Sequence, residues 1–115
     1  MKYEGSCHCG KIAYEAEGTI DALIECNCPM CSRRGYLLWF IPRDRVKLKT
    51  PESAMSTYTF NKHIINHNFC PECGCAPVSF GKDAKGNLMA EINARCIQNV
   101  DITQYKITHF DGRST

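Results

Sequence analysis

What the sequence lacks narrows the field before anything else is read. It has no apolar run long enough to cross a bilayer: the longest, Tyr36-Leu37-Leu38-Trp39-Phe40-Ile41, falls far short of the ~20 residues a spanning helix needs. Its opening residues, Met1-Lys2-Tyr3-Glu4-Gly5, are polar and lead into no apolar segment, so an export signal is not expected. An excess of one charge is missing too. The 14 Lys and Arg against 12 Asp and Glu leave a net charge of +2, too little to argue for nucleic acid or an anionic membrane as partner. There is no low-complexity tract, no linker, no long amphipathic helical pattern and no internal repeat beyond recurring pairs of thiols. These absences leave one globular domain over residues 1–115, able to bury one modest core, with the cytoplasm as its expected compartment.

What is present in excess is cysteine, nine residues of it. Without an export signal a disulfide framework is the weaker reading, and CxC and CxxC spacings suit chelation of one ion better than bridging to each other. Cys7 and Cys9 form one CxC pair, and Cys70 and Cys73 form a CxxC knuckle followed by Gly74. Together they make a four-thiolate set able to close a structural zinc site. One ion held by both pairs would clamp the start of the chain to its later half and contribute folding energy directly. His8, between the first two thiols, is expected to point away from the ion.

Cys26-Asn27-Cys28-Pro29-Met30-Cys31 is different, because it offers three thiols and not four. It is either a second closed site completed by Cys75, Cys96 or a histidine, or an open zinc whose fourth position takes water or a thiol. Cys75 and Cys96 are read as small buried hydrophobes, and Cys75 as a non-ligand. Arg33 and Arg34 follow the triple directly and offer cations to the carboxylates of a peptide thiol.

Around these motifs the chain reads as strands. Residues 11–16 alternate and end at Gly18; 22–25 run into the central cysteines; Pro29 suits a tight turn before Cys31. Residues 36–41 form a central buried strand stopped by Pro42, with Trp39 as a core anchor. A short segment follows at 46–48. Residues 56–60 and 64–69 make a hairpin with its turn at 61–63, and further strands lie at 78–80, 88–94 and 105–110. Residues 5–10 are read as a turn.

The three motifs Gly5-Ser6-Cys7-His8-Cys9-Gly10, Cys26-x-Cys28-x-x-Cys31 and Phe69-Cys70-x-x-Cys73-Gly74 resemble, in order and spacing, the glutathione-dependent formaldehyde-activating enzyme family, which includes centromere-protein-V-like members. The resemblance runs from Gly5 to about Gly112, with Cys75 and Cys96 extra to its seven-thiol pattern. It implies an all-β, tent-like fold of packed antiparallel sheets, Mss4-like and zinc-stabilised. It also implies two zinc ions: a structural one on Cys7, Cys9, Cys70 and Cys73, and a second, catalytic one on Cys26, Cys28 and Cys31. The implied activity is that of a carbon–sulfur lyase, joining glutathione or a similar thiol to formaldehyde or a small aldehyde, with Arg33 and Arg34 set against glutathione carboxylates. The alternative is a non-catalytic zinc module that binds a protein partner.

Overall fold

A computed structural model describes residues 1–59 and 65–114. The chain folds as β1 (Lys2–Ser6), β2 (Ala13–Glu17), β3 (Ala22–Cys26), α1 (Pro29–Arg34), β4 (Leu38–Pro42), β5 (Val46–Leu48), β6 (Ser56–Tyr58), β7 (His67–Phe69), β8 (Val78–Lys82), β9 (Leu88–Asn93) and β10 (Lys106–Phe110). Three sheets result, ordered β1-β2-β5, β10-β3-β4-β9-β8 and β6-β7. The fold is mostly β and the sheets are antiparallel, with one exception: β10 lies parallel to β3, Lys106 beside Ala22 and Phe110 beside Cys26. The 3-10 turns Ala94–Cys96 and Ile102–Gln104 lead the chain from β9 to that far edge. Apolar alternation identifies a strand but not its direction, so the parallel pair had no sequence signal.

The core lies between the three-stranded and five-stranded sheets. Tyr3, Tyr14, Ala16 and Val46 enter it from the first; Leu23, Trp39, Ile41, Val78, Phe80, Ala90 and Ile92 enter from the second. Period-two alternation puts all of the latter on one face. Trp39 is a core anchor as expected, meeting Tyr3 edge-on at a centroid distance of 5.3 Å.

Two local expectations are corrected. Residues 2–6 are a strand, because Tyr3 and Gly5 alternate inward and pair with Ala16 and Tyr14; the polar residues between them hid the pattern. Gly5 is required there, since a Cβ would overlap the Tyr14 ring. The turn read over residues 5–10 therefore begins only after Ser6.

The segment after Cys28 is a short helix and not a tight turn. Cys28 caps it by accepting the Cys31 amide on Sγ at 3.2 Å. Pro29 occupies the first turn, where its missing N–H costs nothing, and Gly35 ends the helix in the left-handed conformation (φ 67°). The hairpin of β6 and β7 forms in the register Ser56 to Phe69 and Tyr58 to His67; its expected turn at 61–63 lies outside the described residues.

Candidate metal centres and the adjoining cavity

Two groups of thiols form, and they contain all seven of the cysteines expected to ligate metal. Sγ atoms of Cys7, Cys9, Cys70 and Cys73 lie within 4.8 Å of one another, as do those of Cys26, Cys28 and Cys31. In the first group the loop after β1 meets the knuckle after β7. Cys7 to Cys9 measures 3.7 Å and Cys9 to Cys70 3.6 Å. Thiolates about 2.3 Å from a tetrahedral zinc stand about 3.8 Å apart, so the spacing fits that ion.

Backbone amides converge on the same sulfurs. Ile12 N–H donates to Cys7 Sγ at 3.3 Å, and Glu72 and Cys73 N–H donate to Cys70 Sγ at 3.4 and 3.5 Å. The amides of Cys9 and Cys75 hold the Cys73 thiol down to about 5. Gly74 takes φ 81° to complete the knuckle, a conformation that costs glycine little. Lys11 and Glu72 pair across the joint at 3.4 Å. His8 is exposed and outside the cluster.

The second group is built where β3 ends and α1 begins. Cys28 N–H donates to Cys26 Sγ at 3.4 Å, and Cys31 N–H to Cys28 Sγ. Burial pushes the Cys31 thiol up, reinforced by the Cys28 thiol. At Cys28 burial acts upward too, but the Cys31 amide and the neighbouring thiols outweigh it and the net shift is down. Among the described residues no fourth Cys, His or carboxylate joins this trio. Cys75 packs instead against the main core beside Cys73. The Cys96 thiol is pushed up to about 11, by burial first and then by the charges of Cys75, Cys7 and Cys73, which places it near the first group too.

The trio opens onto a cavity of about 580 Å³. Its floor is the outer face of the five-stranded sheet, carrying Ile24, Leu38, Phe40 and Glu91. His67, Phe110 and Arg113 complete the walls. A smaller cavity of about 390 Å³ shares Cys26, Cys31, Tyr36 and Phe110 with the first.

The C-terminal segment straps the trio's loop in place. Asn27 N–H donates to Phe110 O at 3.2 Å, Asn27 Nδ2 to Asp111 Oδ1 at 3.0 Å, and Arg113 N–H to Asn27 Oδ1 at 2.9 Å. Arg33 and Arg34 are not among the cavity's lining residues. Arg33 Nη1 donates to Pro29 O at 3.0 Å; Arg34 Nη1 donates to Tyr36 Oη at 2.6 Å and its guanidinium lies over the Phe69 ring. Glu91 and Arg113 went unnoticed in the sequence. Glu91 had a signal, an acid inside the alternating residues 88–93; Arg113 had none.

This geometry coincides with a family match. The model of the glutathione-dependent formaldehyde-activating enzyme family matches residues 2–109. The chain belongs to that family. The chain is also similar to a Rhodobacter sphaeroides protein of known crystal structure, with a TM-score of 0.78 at 21% identity, covering 91% of this chain and 99% of that one. That likeness bears on the fold, which is consistent with the Mss4-like arrangement. In this family member the two cysteine clusters could each hold a metal ion, and their all-thiolate donor sets suit zinc. Among the described residues no helix is long and apolar enough to cross a membrane.

Proposed function

We propose that this protein is a zinc-dependent carbon–sulfur lyase of the cytoplasm that adds glutathione or a similar small thiol to formaldehyde or another small aldehyde. The observation that carries the reading is the trio of Cys26, Cys28 and Cys31 in a cavity wall, with three sulfur donors and no fourth among the described residues. Family membership supports the substrate class. Cys7, Cys9, Cys70 and Cys73 hold a structural zinc in this reading, and the trio holds a second.

Zinc bound at the trio would supply a site where an incoming thiol is held as its thiolate. The chain's own residues arrange the rest. Amides directed at Cys26 and Cys28 keep those sulfurs oriented toward one point. Leu38, Phe40 and Phe110 line an apolar space, where a small aldehyde is held beside sulfur and the encounter loses its bimolecular character. A sulfur–carbon bond forms, the carbonyl π pair moves to oxygen, and the proton released by the thiol ends there. The product is S-hydroxymethylglutathione when the partners are glutathione and formaldehyde. The carboxylate role expected for Arg33 and Arg34 on α1 we assign instead to Arg113, which is in the lining, since the other two are engaged by Pro29 O and by Tyr36.

Zinc stoichiometry with glutathione titration tests the reading. Native protein should contain two zinc ions per chain and bind glutathione, and Cys28→Ser should contain one and bind none. Two zinc ions with no thiol affinity would point to a zinc module that docks on a protein partner.

A further inference from the structure

Glu91 stands out once the register of the five-stranded sheet is drawn. It sits midway along β9, opposite Phe40 on β4 and Ser79 on β8, neither of which carries a charge. Its side chain is half-buried and lines the same cavity as the three thiols. An acid in that position breaks the apolar pattern of the cavity floor, and burial alone raises its carboxyl to about 7. Among the described residues it has no ion pair. Arg43, on the 3-10 turn Arg43–Arg45, stacks over the Phe80 ring at 3.9 Å, and burial holds His67, on β7 beyond Ser79 of β8, below the usual imidazole range. Arg113 enters from the C-terminal segment, where Asn27 holds its Nε. A half-buried carboxylate without a counter-charge carries part of the cost of burying a charge, and a cation brought by a ligand would offset it.

Position says which ligand. Ile24 on β3 faces Leu38 on β4, so Cys26 and Phe40 lie at opposite ends of that antiparallel pair, and Glu91 is one strand beyond Phe40. Glu91 is therefore on the far diagonal from Cys26, two strand spacings across (about 10 Å) and four residues along (about 13 Å). Both side chains shorten the gap by reaching inward. A ligand with its sulfur at the trio presents to Glu91 a group several bonds away, as a peptide-sized thiol would at about 3.5 Å per residue.

We propose that Glu91 is a specificity-determining residue whose carboxylate anchors a cationic amino group carried by the thiol substrate, at the end of the cavity away from Cys26, Cys28 and Cys31. The proposal rests on the cavity being a thiol site. It favours small thiols bearing a free amine remote from sulfur over those whose amine is absent or blocked.

Calorimetry on the zinc-loaded protein tests it, using glutathione and N-acetylglutathione against native protein and Glu91→Gln. Native protein should bind glutathione at least about tenfold tighter than the acetylated thiol, the scale of one charge-assisted hydrogen bond. That preference should weaken as pH falls below 7 and Glu91 protonates. The Glu91→Gln protein, with both zinc ions retained, should bind the two thiols equally and at the weaker level. Equal affinities in native protein, or a preference that survives in Glu91→Gln, overturn the proposal while leaving thiol binding intact. Failure of native protein to bind either thiol overturns the reading of the cavity and the proposal with it.

Discussion

Gly112 packs against Cys26 so closely that a Cβ on Gly112 would stand 2.6 Å from Cys26 Sγ and 3.3 Å from the Cys28 Cβ. The C-terminal strap thus rests its smallest residue on the three-thiol cluster. Gly112→Ala should displace that sulfur and weaken metal binding at the second site by about tenfold or more, the scale of modest overpacking. The four-thiol site should be untouched. Metal titration with a chromophoric chelator resolves the two sites, and unchanged affinity at both would contradict the contact.

The four-thiol cluster joins residues 61 positions apart, Cys9 and Cys70, whereas the trio lies within one local loop. Cys73→Ser should therefore lower the melting temperature by more than about 10 °C, a loss on the order of 2 kcal/mol or more for a domain of this size, or prevent folding. Cys28→Ser should cost much less. Thermal melts of the two variants side by side decide it, and equal melting temperatures would remove the division into a structural and an open site.

Cys75 packs beside Cys73 but belongs to neither thiol group. Cys75→Ser should keep two zinc ions and full thiol binding, and Cys31→Ser should lose one ion. Native mass spectrometry counts them. A zinc lost from Cys75→Ser would mean that the clusters share ligands.

Arg113 lines the cavity, while Arg33 and Arg34 are engaged by Pro29 O and by Tyr36 with Phe69. Arg113→Ala should weaken glutathione binding by about tenfold. A double Arg33→Ala, Arg34→Ala variant should stay within about twofold of native. The reverse ranking would return the carboxylate contact to α1.

Glu91 also makes stability depend on pH. Burial raises its carboxyl from an ordinary 4.5 to about 7, so the folded state holds a proton that the unfolded state has already released. Stability from this group is full below about pH 4.5 and declines as pH rises to about 7. Glu91→Gln lacks the charged form, so its advantage over native protein should be smallest below pH 4.5 and greatest above pH 7, at most about 3 to 4 kcal/mol at about 1.36 kcal/mol per unit. Denaturant melts across that range measure it; an equal difference at both ends would contradict the burial.

The two thiol groups were legible in the sequence because chelation by CxC and CxxC is local: the backbone between two near thiols leaves them few places to go except toward one ion. Most strands were legible for a similar reason, since alternation along a short segment records which face is buried. Their edges were not, as residues 2–6 and the helix at Pro29–Arg34 show. Polar residues masked the first, and the second depended on a thiol serving as its N-terminal cap.

The sequence by itself determined the seven-thiol pattern, the single tryptophan anchor and the mostly-β character, each set by residues close in the chain or by simple hydrophobic period. Only the tertiary structure decided what surrounds the trio. Arg113, Phe110 and Gly112 reach it through a parallel edge pairing and a strap that meets Asn27, and strand order sets Glu91 at the far end of the same cavity. Those placements depend on which strands become neighbours, and a period of two along each strand carries no information about its neighbour across the sheet.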